Sequence, residues 1–184
     1  PESWDELDSS IHHVEHYDWI IFTSANGVQS FFERLIRCGK DVRDLKGCRL
    51  AAIGSATREA LEQYHLRADL VPEQYVAEAL LESLSRTTDL QNKRVLLPRA
   101  DIAGDLLPEQ LIARGAIVDN VVAYRTVVPN ASSEWLSDRI NRGEVDWIIF
   151  TSSSTVRNLL ELLSAHPPTR IASVKLASIG PITT

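Results

Sequence analysis

One heptapeptide occurs twice in this sequence, and this repetition constrains the fold more than any other feature. The segment DWIIFTS at residues 18–24 recurs unchanged at residues 146–152, 128 positions further along the chain. A second pair, LAAIGSAT at residues 50–57 and LASIGPIT at residues 176–183, recurs at an offset of 126. Two matches in the same order and at nearly the same offset indicate two copies of one domain plan.

Each copy predicts a buried strand, a short polar turn and then a helix. The continuous apolar run WIIF is typical of a parallel strand whose two faces are both covered by helices. The apolar residues after each turn have the i, i+3, i+4, i+7 spacing of one buried helix face. They are Val28, Phe31, Phe32 and Leu35 in the first copy and Val156, Leu159, Leu160 and Leu163 in the second.

Predicted strands and helices alternate along the whole chain, which indicates parallel sheets with right-handed crossovers. We expect strands at 18–23, 49–53, 68–71, 94–98, 117–126, 145–150 and 175–179, and helices at 3–16, 26–37, 55–64, 76–85, 104–114, 132–142 and 154–164. The predicted fold class is α/β, with two flavodoxin-like parallel-sheet domains related by internal duplication. By the symmetry of the repeat, we also expect a further βαβ unit before residue 1 and more chain after residue 184.

Charge and composition disfavour several classes of protein. The formal net charge of −6 argues against broad binding of nucleic acid or of membrane surfaces. No apolar run approaches the roughly 18–20 residues that span a bilayer, and the first residues do not resemble a signal peptide. Cys38 and Cys48 lack the spacing of a metal site or a disulfide framework. We therefore expect a cytoplasmic protein with two ordinary thiols.

Four turns between a strand and a helix have the composition of anion sites. Ligands of open parallel sheets bind beyond the carboxyl ends of the strands, where the amides at helix N-termini favour anions. Taken singly, each Ser or Thr there would be an ordinary helix cap. Their occurrence in two matched pairs predicts a cleft lined from both sides. The turns are Thr23-Ser24-Ala25-Asn26, Gly54-Ser55-Ala56-Thr57, Thr151-Ser152-Ser153-Ser154 and Gly180-Pro181-Ile182-Thr183.

Two further residues are candidates for the site. Arg99 ends a predicted strand and suits carboxylate recognition, although it could equally be a surface charge. Tyr124 stands where the first copy passes into the second, and it is the strongest candidate for chemistry. The alternative for Tyr124 is a structural tyrosine with an apolar ring and a hydrated hydroxyl.

Motifs of other chemistries are missing from the sequence. It contains no GxGxxG fingerprint, no P-loop and no GxSxG nucleophile elbow. His12 and His16 lie one helical turn apart, but no third ligand accompanies them, so a solvated helix face is favoured over a metal site. We predict no metal.

The motifs IFTSANGV, AAIGSAT, LLPRA, VVAYRT, IFTSSSTV and IGPITT, in this order, resemble the uroporphyrinogen-III synthase family. The resemblance covers residues 19–184. It implies two α/β domains joined by a two-stranded linker, with one domain inserted into the other. Residues 1–127 would then be the inserted domain and residues 128–184 part of the split domain, whose N-terminal βα segment and C-terminal end would be absent here.

The resemblance also implies a reaction. The family converts hydroxymethylbilane to uroporphyrinogen III with loss of water and inversion of ring D, through an azafulvene and a spiro-pyrrolenine. It needs no metal or organic cofactor. The implied protein is thus a cofactor-independent lyase of tetrapyrrole biosynthesis, expected to be a monomer with transient contact to the preceding pathway enzyme.

The site residues implied by the resemblance follow the motifs. Tyr124 matches the tyrosine that assists departure of the hydroxyl group, and Ile182 stands where some members have Thr. The substrate-binding positions that the resemblance implies are Thr23, Ser24, Ser55, Thr57, Thr151, Ser152 and Thr183. The composition of the turns and the position of the arginine add Ala25, Asn26, Gly54, Ala56, Arg99, Ser153, Gly180 and Pro181. Two alternatives stay open: a non-catalytic binding or regulatory module of the same ancestry, and a nucleotide-dependent transferase on a similar scaffold.

Overall fold

The structure is a computed structural model that describes residues 2–127, 133–180 and 183. The chain divides into two compact units, unit 1 (Pro1–Thr126) and unit 2 (Val127–Thr184). Each unit is described by itself.

Unit 1 is built on a four-stranded parallel sheet with the strand order β2-β1-β3-β4. The strands are β1 (Trp19–Phe22), β2 (Arg49–Ala52), β3 (Arg94–Ala100) and β4 (Ile117–Tyr124). The helices of this unit are α1 (Asp5–His12), α2 (Ala25–Arg37), α3 (Ser55–Glu62), α4 (Ala77–Thr87) and α5 (Leu106–Ala113), with 3-10 turns at Val14–His16 and Val42–Leu45.

Both faces of the sheet in unit 1 are buried, which explains the unbroken apolar run of β1. Ile20 and Phe22 point into a cluster with residues of α1, α2 and α3, whereas Trp19 and Ile21 point into a cluster with residues of α4 and α5. All four side chains are at most 1% exposed. Alternate residues of a strand face opposite sides, so a strand covered on both sides needs apolar residues at every position.

Unit 2 has a smaller sheet of two parallel strands, β5 (Trp147–Phe150) and β6 (Lys175–Ser178). Its helices are α6 (Ser133–Asn141) and α7 (Ser153–Ser164), with a 3-10 turn at Ile171–Ser173. Ile140, Leu163 and Val174 form the buried centre of this unit. Trp147 and Ile149 are 55% and 70% exposed, so one face of β5 is open within the described part of the unit.

The predicted α/β class with parallel sheets is confirmed, while some predicted elements are wrong in detail. The segment 68–71 forms only a single parallel bridge, between Leu70 and Ala51, so the described part of unit 1 has four strands and not five. The cause lies at Asp69, whose carboxylate accepts a hydrogen bond of 2.7 Å from the Leu50 amide and thereby takes the place of a ladder partner. The helix predicted at 3–16 ends at His12 and gives way to the 3-10 turn. The internal duplication and the linker stay predictions.

Within the described residues, no helix is both long and apolar enough to cross a membrane.

Candidate functional site at the carboxyl edge of the sheets

The first predicted turn caps the N-terminus of α2. Ser24 lies in extended conformation after β1, and its Oγ accepts a hydrogen bond of 3.0 Å from the Gly27 amide. This bond satisfies one of the amides that the first turn of a helix leaves without a partner. Thr23 and Ala25 are half-buried and Asn26 is exposed, so the turn presents small polar groups beside the remaining helix amides.

Tyr124 meets this turn from another strand. It is the last residue of β4, which is separated from β1 by β3, and its hydroxyl lies 2.9 Å from Ser24 Oγ. Either oxygen can donate in this hydrogen bond. The ring is half-buried and packs against the core cluster that also contains residues of α2. The structure therefore brings together two residues that lie 100 positions apart in the sequence.

A bulge at the end of β4, opposite the end of β3, accompanies this arrangement. The pairing of β3 with β4 shifts register between Arg99 and Ala100, so that Arg99 pairs with Val122 while Ala100 pairs with Tyr124. Bulges of this kind re-aim side chains near the ends of strands. The consecutive residues Ala123 and Tyr124 accordingly both contact the cluster on the α2 face.

Gly27 allows the N-terminus of α2 to approach β3 closely, and it was not among the predicted site residues although it lies in the motif IFTSANGV. A Cβ atom at this position would lie 3.0 Å from the Pro98 carbonyl oxygen, 3.3 Å from Ser24 Oγ and 3.9 Å from Cε1 of Tyr124. A side chain at this position would therefore need the backbone of β3 to move by a few tenths of an ångström. The repeat did contain a sign that position 27 is unusual, because the second copy has Thr155 where the first has Gly27.

The second turn of unit 1 leads into α3. Gly54 is the cap residue, and the ring of Tyr75 packs on it so closely that a Cβ there would lie 3.2 Å from the ring. Ser55 is half-buried and Ala56 is exposed, whereas Thr57 is only 4% exposed and faces the interior. Tyr75 is a second neighbour of the predicted turns that the sequence motifs did not reveal.

Arg99 is also interior, at 4% exposure. Its Nη2 donates to the carbonyl oxygens of Ala103 (3.3 Å) and Gly104 (2.9 Å), so the guanidinium holds the loop that follows β3. Its Nε has no hydrogen-bond partner among the described residues. Burial lowers the pKa of the guanidinium, and the charge of Asp105 partly offsets this. The carboxylate contact expected of Arg99 stays a prediction.

In unit 2, the turn after β5 repeats the capping geometry. Ser152 Oγ accepts from the Thr155 amide at 3.3 Å, and the Thr155 hydroxyl accepts from the Ser152 amide at 3.3 Å. Thr151 is exposed and Ser153 is half-buried. In the turn after β6, Gly180 and Thr183 are half-buried, while Pro181 and Ile182 lie outside the described residues.

No group of three or more His, Cys, Asp or Glu side chains suited to a metal ion occurs within residues 2–127 and 133–180. The described part of each unit thus has polar turns at the carboxyl edge of its own sheet, and in unit 1 a tyrosine hydroxyl lies at a helix N-terminus.

Comparison with known proteins decides the family. The family model described as uroporphyrinogen-III synthase HemD matches residues 1–184. The chain belongs to the uroporphyrinogen-III synthase family. Among individual members of the synthase family, the uroporphyrinogen-III synthase of Synechococcus elongatus is 33% identical over 188 residues, which cover all of this chain and 70% of that protein.

Other members of the synthase family agree. The porphyrin biosynthesis protein HemD of Ruminiclostridium josui is 31% identical over 170 residues, covering 92% of this chain and 34% of that protein. The crystal structure of a mutant uroporphyrinogen III synthase from Thermus thermophilus superposes with a TM-score of 0.66 at 22% identity, covering 98% of this chain and 72% of that one. At this identity the structural match supports the fold alone.

Proposed function

We propose that this chain catalyses the ring closure of hydroxymethylbilane to uroporphyrinogen III, with loss of water and inversion of ring D. Family membership supports the reaction, and the hydrogen bond between Tyr124 and Ser24 at the N-terminus of α2 is the observation that supports its chemistry in this chain. The product belongs to tetrapyrrole biosynthesis, the route to heme, siroheme and cobalamin.

Tyr124 assists the departure of the hydroxyl group. Its phenol donates a proton to the hydroxyl oxygen of the substrate as the carbon–oxygen bond breaks, so that water leaves and the electron-rich pyrrole carries the positive charge as an azafulvene. General acids of this kind contribute roughly 10²–10⁴-fold to rate. The substituted carbon of ring D then attacks the azafulvene, giving a spiro intermediate. Rearrangement of this intermediate and loss of a proton yield the inverted macrocycle.

The turns hold the substrate, which is an octacarboxylate. Amides at helix N-termini and the helix dipole favour carboxylates even in a chain whose net charge is −6. Fixing a flexible chain so that the correct carbon attacks can supply a large share of the catalytic effect. The proposed contacts are Thr23, Ser24, Ala25, Asn26, Gly54, Ser55, Ala56, Thr57 and Arg99 in unit 1, and Thr151, Ser152, Ser153, Gly180, Pro181 and Thr183 in unit 2.

The remaining features of the proposal follow from the family. The reaction uses the chain's own residues without a metal or an organic cofactor. The protein acts in the cytoplasm as a monomer, with transient contact to the enzyme that supplies the unstable linear substrate. The two domains are the inserted domain of residues 1–127 and the part of the split domain in residues 128–184.

A rate measurement separates an enzyme from a non-catalytic binding module of the same ancestry. Full-length protein is added to hydroxymethylbilane as an upstream enzyme generates it, and the disappearance of the linear substrate is followed. We expect disappearance to accelerate in proportion to protein concentration. Unchanged or slowed disappearance would favour the binding module.

The role of Tyr124 is tested by Tyr124→Phe. Removing the hydroxyl leaves the ring packing intact, so we expect the protein to fold normally but to turn over more slowly by roughly 100-fold or more, the lower end of a general-acid contribution. Tyr64→Phe is the matched control, because Tyr64 is likewise half-buried and stacks on Phe32 at the edge of the core, with ring centroids 4.3 Å apart. Turnover of Tyr124→Phe at the level of Tyr64→Phe would remove Tyr124 from the mechanism.

A further inference from the structure

We infer that Ser24 is a positioning residue: it orients the Tyr124 hydroxyl so that the phenol proton points toward the substrate. The inference rests on the proposed function, because it assigns Ser24 a task within that reaction. It differs from the substrate contact expected of Ser24, since here the serine acts through the tyrosine.

The first observation is the chain of hydrogen bonds. The Gly27 amide donates to Ser24 Oγ at 3.0 Å, and Ser24 Oγ lies 2.9 Å from the Tyr124 hydroxyl. A hydroxyl group has one proton and two acceptor positions. The helix amide occupies one acceptor position of Ser24, and in the proposed arrangement the serine proton is donated to the tyrosine oxygen. The tyrosine proton then points away from Ser24 and is available to a leaving group.

The second observation is that the neighbouring backbone leaves the Ser24 and Tyr124 hydroxyl groups little space for another arrangement. Ser24 stands between β1 and α2, Tyr124 ends β4, and the Pro98 carbonyl oxygen of β3 lies 3.0 Å from where a Cβ of residue 27 would be. Three strands and a helix therefore fix the two oxygens relative to each other. Such preorganisation is what proton transfer at a defined atom requires.

The third observation comes from the second copy of the repeat, where the same serine has a different partner. Ser152 caps α7, and its Oγ lies 2.8 Å from the Ser154 hydroxyl and 3.4 Å from the Thr155 hydroxyl. Position 155 corresponds to Gly27, so the first copy has no hydroxyl at that position. In the first copy, the serine Oγ forms a hydrogen bond with the Tyr124 hydroxyl instead. The partners of Ser152 all lie in its own turn, whereas the Ser24 hydroxyl has a partner on another strand, 100 positions away in the sequence.

A double-mutant cycle on Ser24→Ala and Tyr124→Phe tests the inference in the full-length protein. If Ser24 acts through Tyr124, Ser24→Ala lowers kcat by about the same factor as Tyr124→Phe, and the double variant is no slower than Tyr124→Phe alone. Ser24→Thr, which keeps a hydroxyl, restores most of the lost kcat. The inference would be overturned if the kcat of the double variant fell by the product of the two single-variant factors, or if Ser24→Ala changed only KM. Either result would mean that Ser24 contacts the substrate directly.

The loss of the helix cap needs its own control. Ser152→Ala removes the equivalent cap in unit 2 and therefore incurs a similar structural cost, but we expect its effect to multiply with that of Tyr124→Phe. Ser24→Gly is the second variant if Ser24→Ala folds poorly, because glycine is nearly as good a cap residue as serine yet has no hydroxyl.

A spectroscopic measurement separates failure of the inference from failure of the proposed function. The protein contains four tyrosines, so the ring carbon that bears the hydroxyl can be labelled with ¹³C and each resonance assigned by a Tyr→Phe variant. We expect Ser24→Ala and Ser24→Gly to move the Tyr124 resonance and Ser152→Ala to leave it in place. An unmoved resonance in the Ser24 variants overturns the inference, whereas a moved resonance in a protein without synthase activity contradicts the proposed function alone.

Discussion

At the residue scale, the site depends on a position where a side chain fits only if the neighbouring backbone moves. Gly27 is buried, and its would-be Cβ meets the Pro98 carbonyl at 3.0 Å, which is closer than a methyl group can approach without a shift of the backbone. Since Ser24 and Tyr124 border the same space, a shift at residue 27 changes the distance between their hydroxyl groups as well as the packing.

We therefore predict that Gly27→Ala destabilises the protein by about 1–2 kcal/mol, because overpacking outweighs the better helix propensity of alanine. We also expect a fall in kcat. The control is Gly104→Ala, since no described heavy atom lies within 4 Å of the would-be Cβ of Gly104, and surface substitutions usually stay within about 0.5 kcal/mol. Denaturant unfolding of both variants is the measurement. Equal stability of the two variants would show that the backbone near Gly27 moves aside for a methyl group at no cost, and would contradict the prediction.

A second residue-scale prediction concerns Tyr17. Its side chain is 6% exposed and its hydroxyl donates to Asp119 at 2.5 Å. Burial, together with this hydrogen bond to a carboxylate, raises the pKa of Tyr17 to about 12. The folded state thus retains the phenol proton at a pH where the unfolded chain, with a tyrosine pKa of about 10, loses it. The stabilisation is complete below a pH of about 10 and is lost as the pH rises toward about 12.

The measurement is the free energy of unfolding of the wild type and of Tyr17→Phe as a function of pH. We expect the wild type to lose about 1–2 kcal/mol more than the variant between about pH 9 and pH 12, an amount that corresponds to a shift of roughly one unit or more. Taking the difference between the unfolding free energies of the two proteins cancels the contribution of other titrating groups. One of these is Cys48, because burial raises the pKa of its thiol to about 12. Parallel curves would contradict the prediction.

At the scale of the element, α2 shows how one helix serves both the core and the site. Its buried face carries Phe31 and Phe32, which contact each other and Phe22 of β1 with ring centroids 5.3–6.2 Å apart. Its N-terminus carries the serine cap. The aromatic cluster thus anchors the helix on the sheet, and the anchored helix places its first amides beside Tyr124.

We predict that Phe31→Ala destabilises the protein by about 3–5 kcal/mol, as expected for an aromatic side chain removed from a core. Ile36→Ala on the same helix should change stability by only about 0.5 kcal/mol, because Ile36 is 63% exposed. Thermal or denaturant unfolding compares the two. Similar losses for both variants would indicate that the helix does not depend on its buried face.

The sequence predicted those elements well that depend only on neighbouring residues, through the hydrophobic pattern and the composition of the turn. The strand WIIF and the serine-capped helix after it are both present in each unit. The predicted strand at 68–71 was wrong, because whether Asp69 occupies a ladder position depends on where β2 lies. The contact between Ser24 and Tyr124 could not be predicted from the sequence either, since it depends on the strand order and on a bulge.

At the scale of the whole molecule, the repeated heptapeptide shows what a local pattern leaves undetermined. Trp19 and Ile21 are buried in unit 1, but the matching Trp147 and Ile149 are more than half exposed in unit 2. The sequence is the same, and the difference arises from the neighbours: β1 lies between β2 and β3 beneath α4 and α5, whereas β5 pairs with β6 alone in the described chain. A local pattern thus specifies the strand, and the surrounding chain determines its burial.

The isomer of the product tests the proposed synthase activity most directly. Hydroxymethylbilane is generated enzymatically in the presence of the full-length protein, the macrocycle is oxidised to the porphyrin, and the isomers are separated by chromatography. The substrate closes spontaneously to the isomer in which ring D is not inverted, so isomer I is the product without the protein. We predict isomer III as the dominant product, with a share that grows with protein concentration. Isomer I alone, formed at the uncatalysed rate, would contradict this prediction.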